Sequence, residues 1–161
     1  MYKRQNQARA IGVLKAAGLV TLKGDWTPFS TPQDIDEAKS KVKVTPLKAE
    51  QVANSLKDPQ VAAGVINNDY VSDAGLKASD AIYQDDAESE EARPYINIFA
   101  TRKADVNNEV YKKVVEIFQT QDVLDKLQEN SGGTAVFADK FSASDLQSYL
   151  QKIEKEAKEV K

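Results

Sequence analysis

Two spacings of apolar residues alternate along the first hundred positions, and that alternation restricts the fold more than any other feature. Helical stripes recur every three to four residues and strand faces every second residue. Ala10, Ile11, Leu14 and Ala17 make one helical stripe, so 7–17 reads as a helix with Asn6 as its N-cap and Gly18 closing it. The run 19–22 reads as extended. Thr31-Pro32-Gln33-Asp34 has Thr at an N-cap, Pro at N1 and an acid at N3, which predicts a short helix to about Ser40. Val42 and Val44 alternate with polar neighbours and predict a strand over 41–47. Next come a helix over 49–56 broken by Asp58-Pro59, an apolar run at 61–66 that suits a buried strand, and a helix over 67–74 closed by Gly75. A brief strand at 81–83 and a clearer one at 95–101 follow. After these the helical pattern takes over, at 107–120, 122–130 and 142–160. Ser142 with Asp145 resembles a capping box, and pairs such as Glu154–Lys158 mark a solvated face. Helices interleaved with strands predict an α/β fold with a mostly parallel or mixed sheet.

The 161 residues suffice for one domain, or one and a piece, with a core that needs no staples. There is no Cys and no His, which excludes disulfides, Cys–His zinc sites, thiol nucleophiles and Ser-His-Asp triads. Acids and bases nearly balance, 25 against 22, so no basic surface for nucleic acid is expected. No apolar run reaches the roughly eighteen residues of a membrane helix, and Met1 to Gln5 lead into a helical pattern without an apolar leader. At face value that reads as cytoplasmic.

No phosphate-binding loop or nucleophile elbow is present. Gly132-Gly133 follows a helix and reads as a turn. The acidic run Asp85, Asp86, Glu88, Glu90 and Glu91 suits either a hard cation or, more plainly, a solvated loop; no metal and no cofactor is expected. Two segments are more pointed. Asn6-Gln7-Ala8-Arg9 opens a predicted helix, where free N–H groups and a guanidinium together suit a carboxylate; the plainer alternative is a surface arginine. At Val65-Ile66-Asn67-Asn68-Asp69-Tyr70 an apolar strand runs into polar residues, the place where open α/β sheets hold ligands. An amide there can serve an ammonium and a carboxylate at once, or Asn67 can simply cap the next helix.

These segments carry a resemblance. The stretches at 6–23, 41–58, 61–76 and 93–105, with the elements VIN-x-x-Y-x-x-x-x-GL from Val65 and PY-x-N-x-x-x-TR from Pro94, resemble the NlpA/MetQ family of lipoproteins. That family supplies the methionine-binding components of ABC importers. The resemblance covers roughly 6–137. It implies a two-lobed, type II-like periplasmic-binding-protein fold that closes over an amino acid, with no enzymatic activity. It implies that Arg9 pairs with the ligand's carboxylate and Asn67 with its backbone groups, that Asn6 lies beside the arginine, and that Tyr70 is a neighbouring aromatic. It favours a ligand role for Arg9 and Asn67, and the plainer role for Tyr70. The implied partners are L-methionine or a similar amino acid, permease and ATPase subunits, and a membrane reached through a lipid anchor, with no nucleic acid.

The family's leader, its lipid-bearing Cys, most of its first lobe and the aromatics around the ligand side chain precede the matched region. The chain is therefore expected to be incomplete at its start, with an extracytoplasmic location in the full-length form. Residues 6–101 would form the second-lobe α/β ligand-binding domain. Residues 102–137 would form a helical segment returning to the first lobe, and 138–161 an additional C-terminal helix. A cytoplasmic effector-binding module of a regulator with the same fold is the alternative, told apart by the sequence upstream.

Overall fold

The computed structural model describes residues 2–159, with side-chain surroundings from residue 6 onward; expectations at Met1 and Val160 fall outside that range. The chain divides into two compact units, Met1–Pro94 with Phe141–Lys161, and Tyr95–Lys140.

The first unit is organised around helix α1, Tyr2–Ala16. Ile11, on the stripe legible in the sequence, is fully buried with Val20 and Ile35. Leu14, Leu22, Trp26, Val42 and Val44 pack against these three. Ala8 and Gly12 give α1 a flat face, and the indole of Trp26 lies on it. A Cβ at Gly12 would come within 3.0 Å of the indole nitrogen. That nitrogen donates to the Ala8 carbonyl at 2.8 Å. The helix ends as its glycine predicts. Gly18, at φ 68°, lets its own N–H reach the Lys15 carbonyl and the Leu19 N–H reach that of Leu14.

After the turn, 19–23 runs against 34–41. Lys23 N–H donates to the Asp34 carbonyl at 2.8 Å, Asp36 N–H to that of Thr21 at 2.8 Å, and Lys41 N–H to that of Leu19 at 2.9 Å. Leu22 and Ile35 form an isolated antiparallel bridge. The helix expected over 31–40 shrinks to one 3-10 turn, Pro32–Asp34. Its start signal is real, since the Asp34 carboxylate accepts from the Thr31 N–H and hydroxyl at 2.7 and 3.0 Å. Burial of Ile35 overrides it: at ψ 129° that residue leaves the helix to join the core.

The sheet does not form within the described residues. Nothing at 41–47, 61–66, 81–83 or 95–101 belongs to a ladder, so the α/β expectation holds for its helices and not for its strands. Alternation settles which way side chains face, whereas a ladder needs a second strand to pair with. Over 41–47 the facing survives alone: Val42 and Val44 turn to the core while Lys41, Lys43 and Thr45 are exposed. Helix α2, Ala49–Ser55, approaches the run 61–66, where a Cβ at Gly64 would stand 2.9 Å from Val52 Cγ1. Helix α3, Asp69–Asp73, is a short helix in contact with α2.

In the second unit, α4 is Glu109–Phe118 and α5 is Gln121–Asn130. Asn108 caps α4, its side-chain oxygen accepting from the Val110 and Tyr111 N–H groups at 2.9 and 3.3 Å. The apolar face read from the sequence is present but largely uncovered: Val110 is 68% exposed and Ile117 52%. Phe118 meets Phe99 edge-on at 5.0 Å. Gly132-Gly133 closes α5, as a turn would.

Helix α6, Ala143–Glu159, belongs to the first unit. The Ser142–Asp145 box forms: the Asp145 carboxylate accepts from the Ser142 N–H and hydroxyl at 2.8 and 2.6 Å, and the Asp145 N–H donates back to that hydroxyl. Tyr149 lies under the Arg93 guanidinium, 5.0 Å from its ring centroid, and meets Phe141 edge-on. Arg93 also pairs with Glu90 at 2.7 Å. The Glu154–Lys158 pair is not closed, in keeping with the small value of solvated pairs.

Trp26→Ala is expected to lower stability by about 2–4 kcal/mol in urea unfolding, through lost packing and a lost hydrogen bond. Trp26→Phe, which keeps a ring and loses the donor, should cost about 1 kcal/mol. A fully stable Trp26→Ala chain would show that α1 is held by other contacts. The hydrogen bonds from Ser142, aided by the charge of Arg93, hold the Asp145 carboxyl below its ordinary 3.8. A lowered folded-state value stabilises above the unfolded value and is lost as pH falls through the folded one. The start of α6 should therefore fray only below pH 3.8, followed by the Ser142 and Asp145 amide resonances; a midpoint at or above 3.8 would refute the cap.

Candidate functional site

Arg9 stands on α1, between residues that point into the core. Ala8 beside it is fully buried and Ile11 two residues on is nearly so, which fixes the rotation of the helix and turns Arg9 to a half-exposed position. Because α1 begins at Tyr2, the N–H groups at 6–9 lie beyond the first four of the helix and are used within it. Asn6 is accordingly not an N-cap; it is an exposed residue in the second turn. The expected helix-terminus cradle for an anion is thus absent, and the guanidinium is what this segment offers.

That guanidinium holds a carboxylate. Arg9 Nε and Nη2 both lie 2.7 Å from Asp85 Oδ2, with the two side chains 39% and 37% exposed. Sequence reasoning placed Asp85 in an acidic run and gave no sign of its partner, 76 residues away. The rest of that run is dispersed: Asp86 accepts from the Glu88 N–H at 2.9 Å and Glu90 pairs with Arg93. Among the described residues no three acids gather as a metal site would require.

Asn67 precedes α3 and is partly buried. Its carbonyl accepts from the Tyr70 N–H at 2.9 Å. Its side chain does not cap the helix and makes no hydrogen bond among the described residues, so the plainer reading of Asn67 as a cap is not realised. Tyr70 sits in the first turn of α3, partly buried. Arg9, Asn67, Asn6 and Tyr70 all lie in the first unit. An open depression lined by Gln7, Thr31, Pro32, Gln33 and Pro46 borders α1 and includes none of the four.

Comparison with known proteins gives these residues their context. The D-methionine-binding lipoprotein MetQ of Salmonella typhi is 35% identical over 132 residues, 81% of this chain and 47% of its own length. The protein of the same name from Escherichia coli strain K12 matches with the same identity and coverage. The chain therefore spans about half the length of the curated relatives it matches. Among solved structures, protein PG110 from Staphylococcus aureus is 34% identical with a TM-score of 0.71, over 89% of this chain and 58% of its own. The substrate-binding protein of a methionine transporter from Streptococcus pneumoniae is 30% identical with a TM-score of 0.66, over 81% and 50%. The chain shares the fold of these two proteins over the matched part, and α6 lies past residue 138. A family model described as NlpA lipoprotein matches residues 3–138, and the chain belongs to that family.

Proposed function

We propose that this chain is the ligand-holding portion of the substrate-binding component of an ABC importer, and that its ligand is methionine or a closely similar amino acid. The observation that carries the reading is Arg9, held half-exposed by a buried helix face with a carboxylate already at 2.7 Å. A guanidinium so placed suits the α-carboxylate of an amino acid. The partly buried, unengaged amide of Asn67 supports a second contact, to the ligand's ammonium or carboxylate. Asn6 flanks the arginine, and Tyr70 follows the amide as a packing residue. The mechanism is capture: two lobes close, the ligand loses water, and the closed form docks on permease and ATPase subunits. No bond is made or broken by the chain, and no cofactor is called for. A lipid anchor outside these residues would hold the protein at the outer face of the membrane.

The family's remaining length is proposed to supply the other lobe. The unpaired segments at 41–47 and 61–66, and the uncovered face of Val110, Val114, Ile117 and Phe118, support that assignment. In it, 6–101 forms the second lobe, 102–137 returns to the first, and α6 is an addition.

In a protein of the family's full length, Arg9→Ala should weaken methionine binding by about 2–5 kcal/mol in calorimetry, since it strips a buried carboxylate of its partner. Unchanged affinity would remove Arg9 from the site. The same substitution should change unfolding stability by less than about 1 kcal/mol, because its pair with Asp85 is solvated. The 161-residue chain by itself should show no rise in melting temperature with methionine; a rise would mean that these residues already make a complete site.

A further inference from the structure

Asp85 places on Arg9 the same chemical group that the proposed ligand would bring. Its Oδ2 lies 2.7 Å from both Nε and Nη2, so one carboxylate oxygen occupies one edge of the guanidinium. The two residues lie 76 positions apart in the chain. One is on α1, and the other is in an acidic loop where Asp86 accepts from the Glu88 N–H and Glu90 pairs with Arg93. We propose that Asp85 is a built-in competitor for the amino-acid carboxylate, holding Arg9 when the ligand is absent and yielding it when the ligand arrives; this rests on Arg9 being the carboxylate contact.

The exposure of the pair makes it a competitor rather than a lock. At 39% and 37% exposure both charges keep much of their water, and such pairs are weak. A deeply buried pair would resist exchange, whereas a solvated one opens at a cost that a second carboxylate can meet. Asp85 also keeps the guanidinium oriented between binding events, so that Arg9 need not be ordered anew by each ligand. The apparent affinity of Arg9 for any carboxylate falls by the fraction of time that Asp85 occupies it. The device selects as well. A neutral apolar solute gains nothing by opening the pair, and so does not displace Asp85.

The test uses the 161-residue chain and acetate as the carboxylate probe. The chain has four arginines, Arg4, Arg9, Arg93 and Arg102, and the Nε–Hε resonance of Arg9 is identified by its loss in Arg9→Lys. The initial slope of its shift against acetate, at constant ionic strength, follows the apparent association constant. Asp85→Ala should steepen that slope about two- to fivefold over the natural chain, the range set by the weakness of solvated pairs. Asp85→Asn, which keeps the size and removes the charge, should move it in the same direction. Asp86→Ala removes an equal charge one residue away and should leave the slope nearly unchanged. Equal slopes in Asp85→Ala and Asp86→Ala, or a shallower one in Asp85→Ala, would overturn the proposal. Acetate reports exchange at Arg9 whether or not methionine binds there, so failure here is read separately from failure of Arg9 as the methionine contact.

Discussion

The contact of Trp26 with α1 is the constraint on which the rest of the first unit depends. A helix can be rotated about its axis at little cost until something reads its surface. Here Gly12 leaves a flat place, the indole fills it, and the indole nitrogen takes the Ala8 carbonyl as acceptor. With that face fixed, Ile11 is committed to Val20 and Ile35, and Arg9 is committed to the water side. The position of the candidate ligand contact is therefore a consequence of packing one turn away. A side chain at residue 12 would compete with the indole for the same space.

The same core explains why local signals were obeyed in some places and overruled in others. Gly18 and the Ser142–Asp145 box act within a few residues of themselves, and each does in the structure what its sequence suggests. Thr31-Pro32-Gln33-Asp34 is an equally good helix start, yet it yields a single turn because Ile35 gains more from burial than from continuing the helix. Asn6 failed as a cap for a different reason. The helix simply extends upstream of it, and nothing in the first five residues forbids that.

The strands expose the limit of periodicity. Alternation at 41–47 told which residues face the core, whereas the α4 stripe is left uncovered at Val110 and Ile117. What no spacing could tell is whether a partner for those faces lies in the same residues. The chain spans about half the length of its curated relatives. Of the proposed site, Arg9 and Asn67 stand out through their residue types and the family pattern. Asp85 does not, because an ion pair across 76 residues leaves no local trace.

The central claim is that Arg9 exchanges an internal carboxylate for that of an amino acid. A crystal structure of a full-length family protein containing these residues, with methionine bound, tests it most directly. The account predicts the ligand carboxylate within hydrogen-bonding distance of the Arg9 guanidinium and Asp85 displaced from it. A methionine carboxylate held by other residues, with Arg9 still paired to Asp85 as it is now at 2.7 Å, would contradict the account.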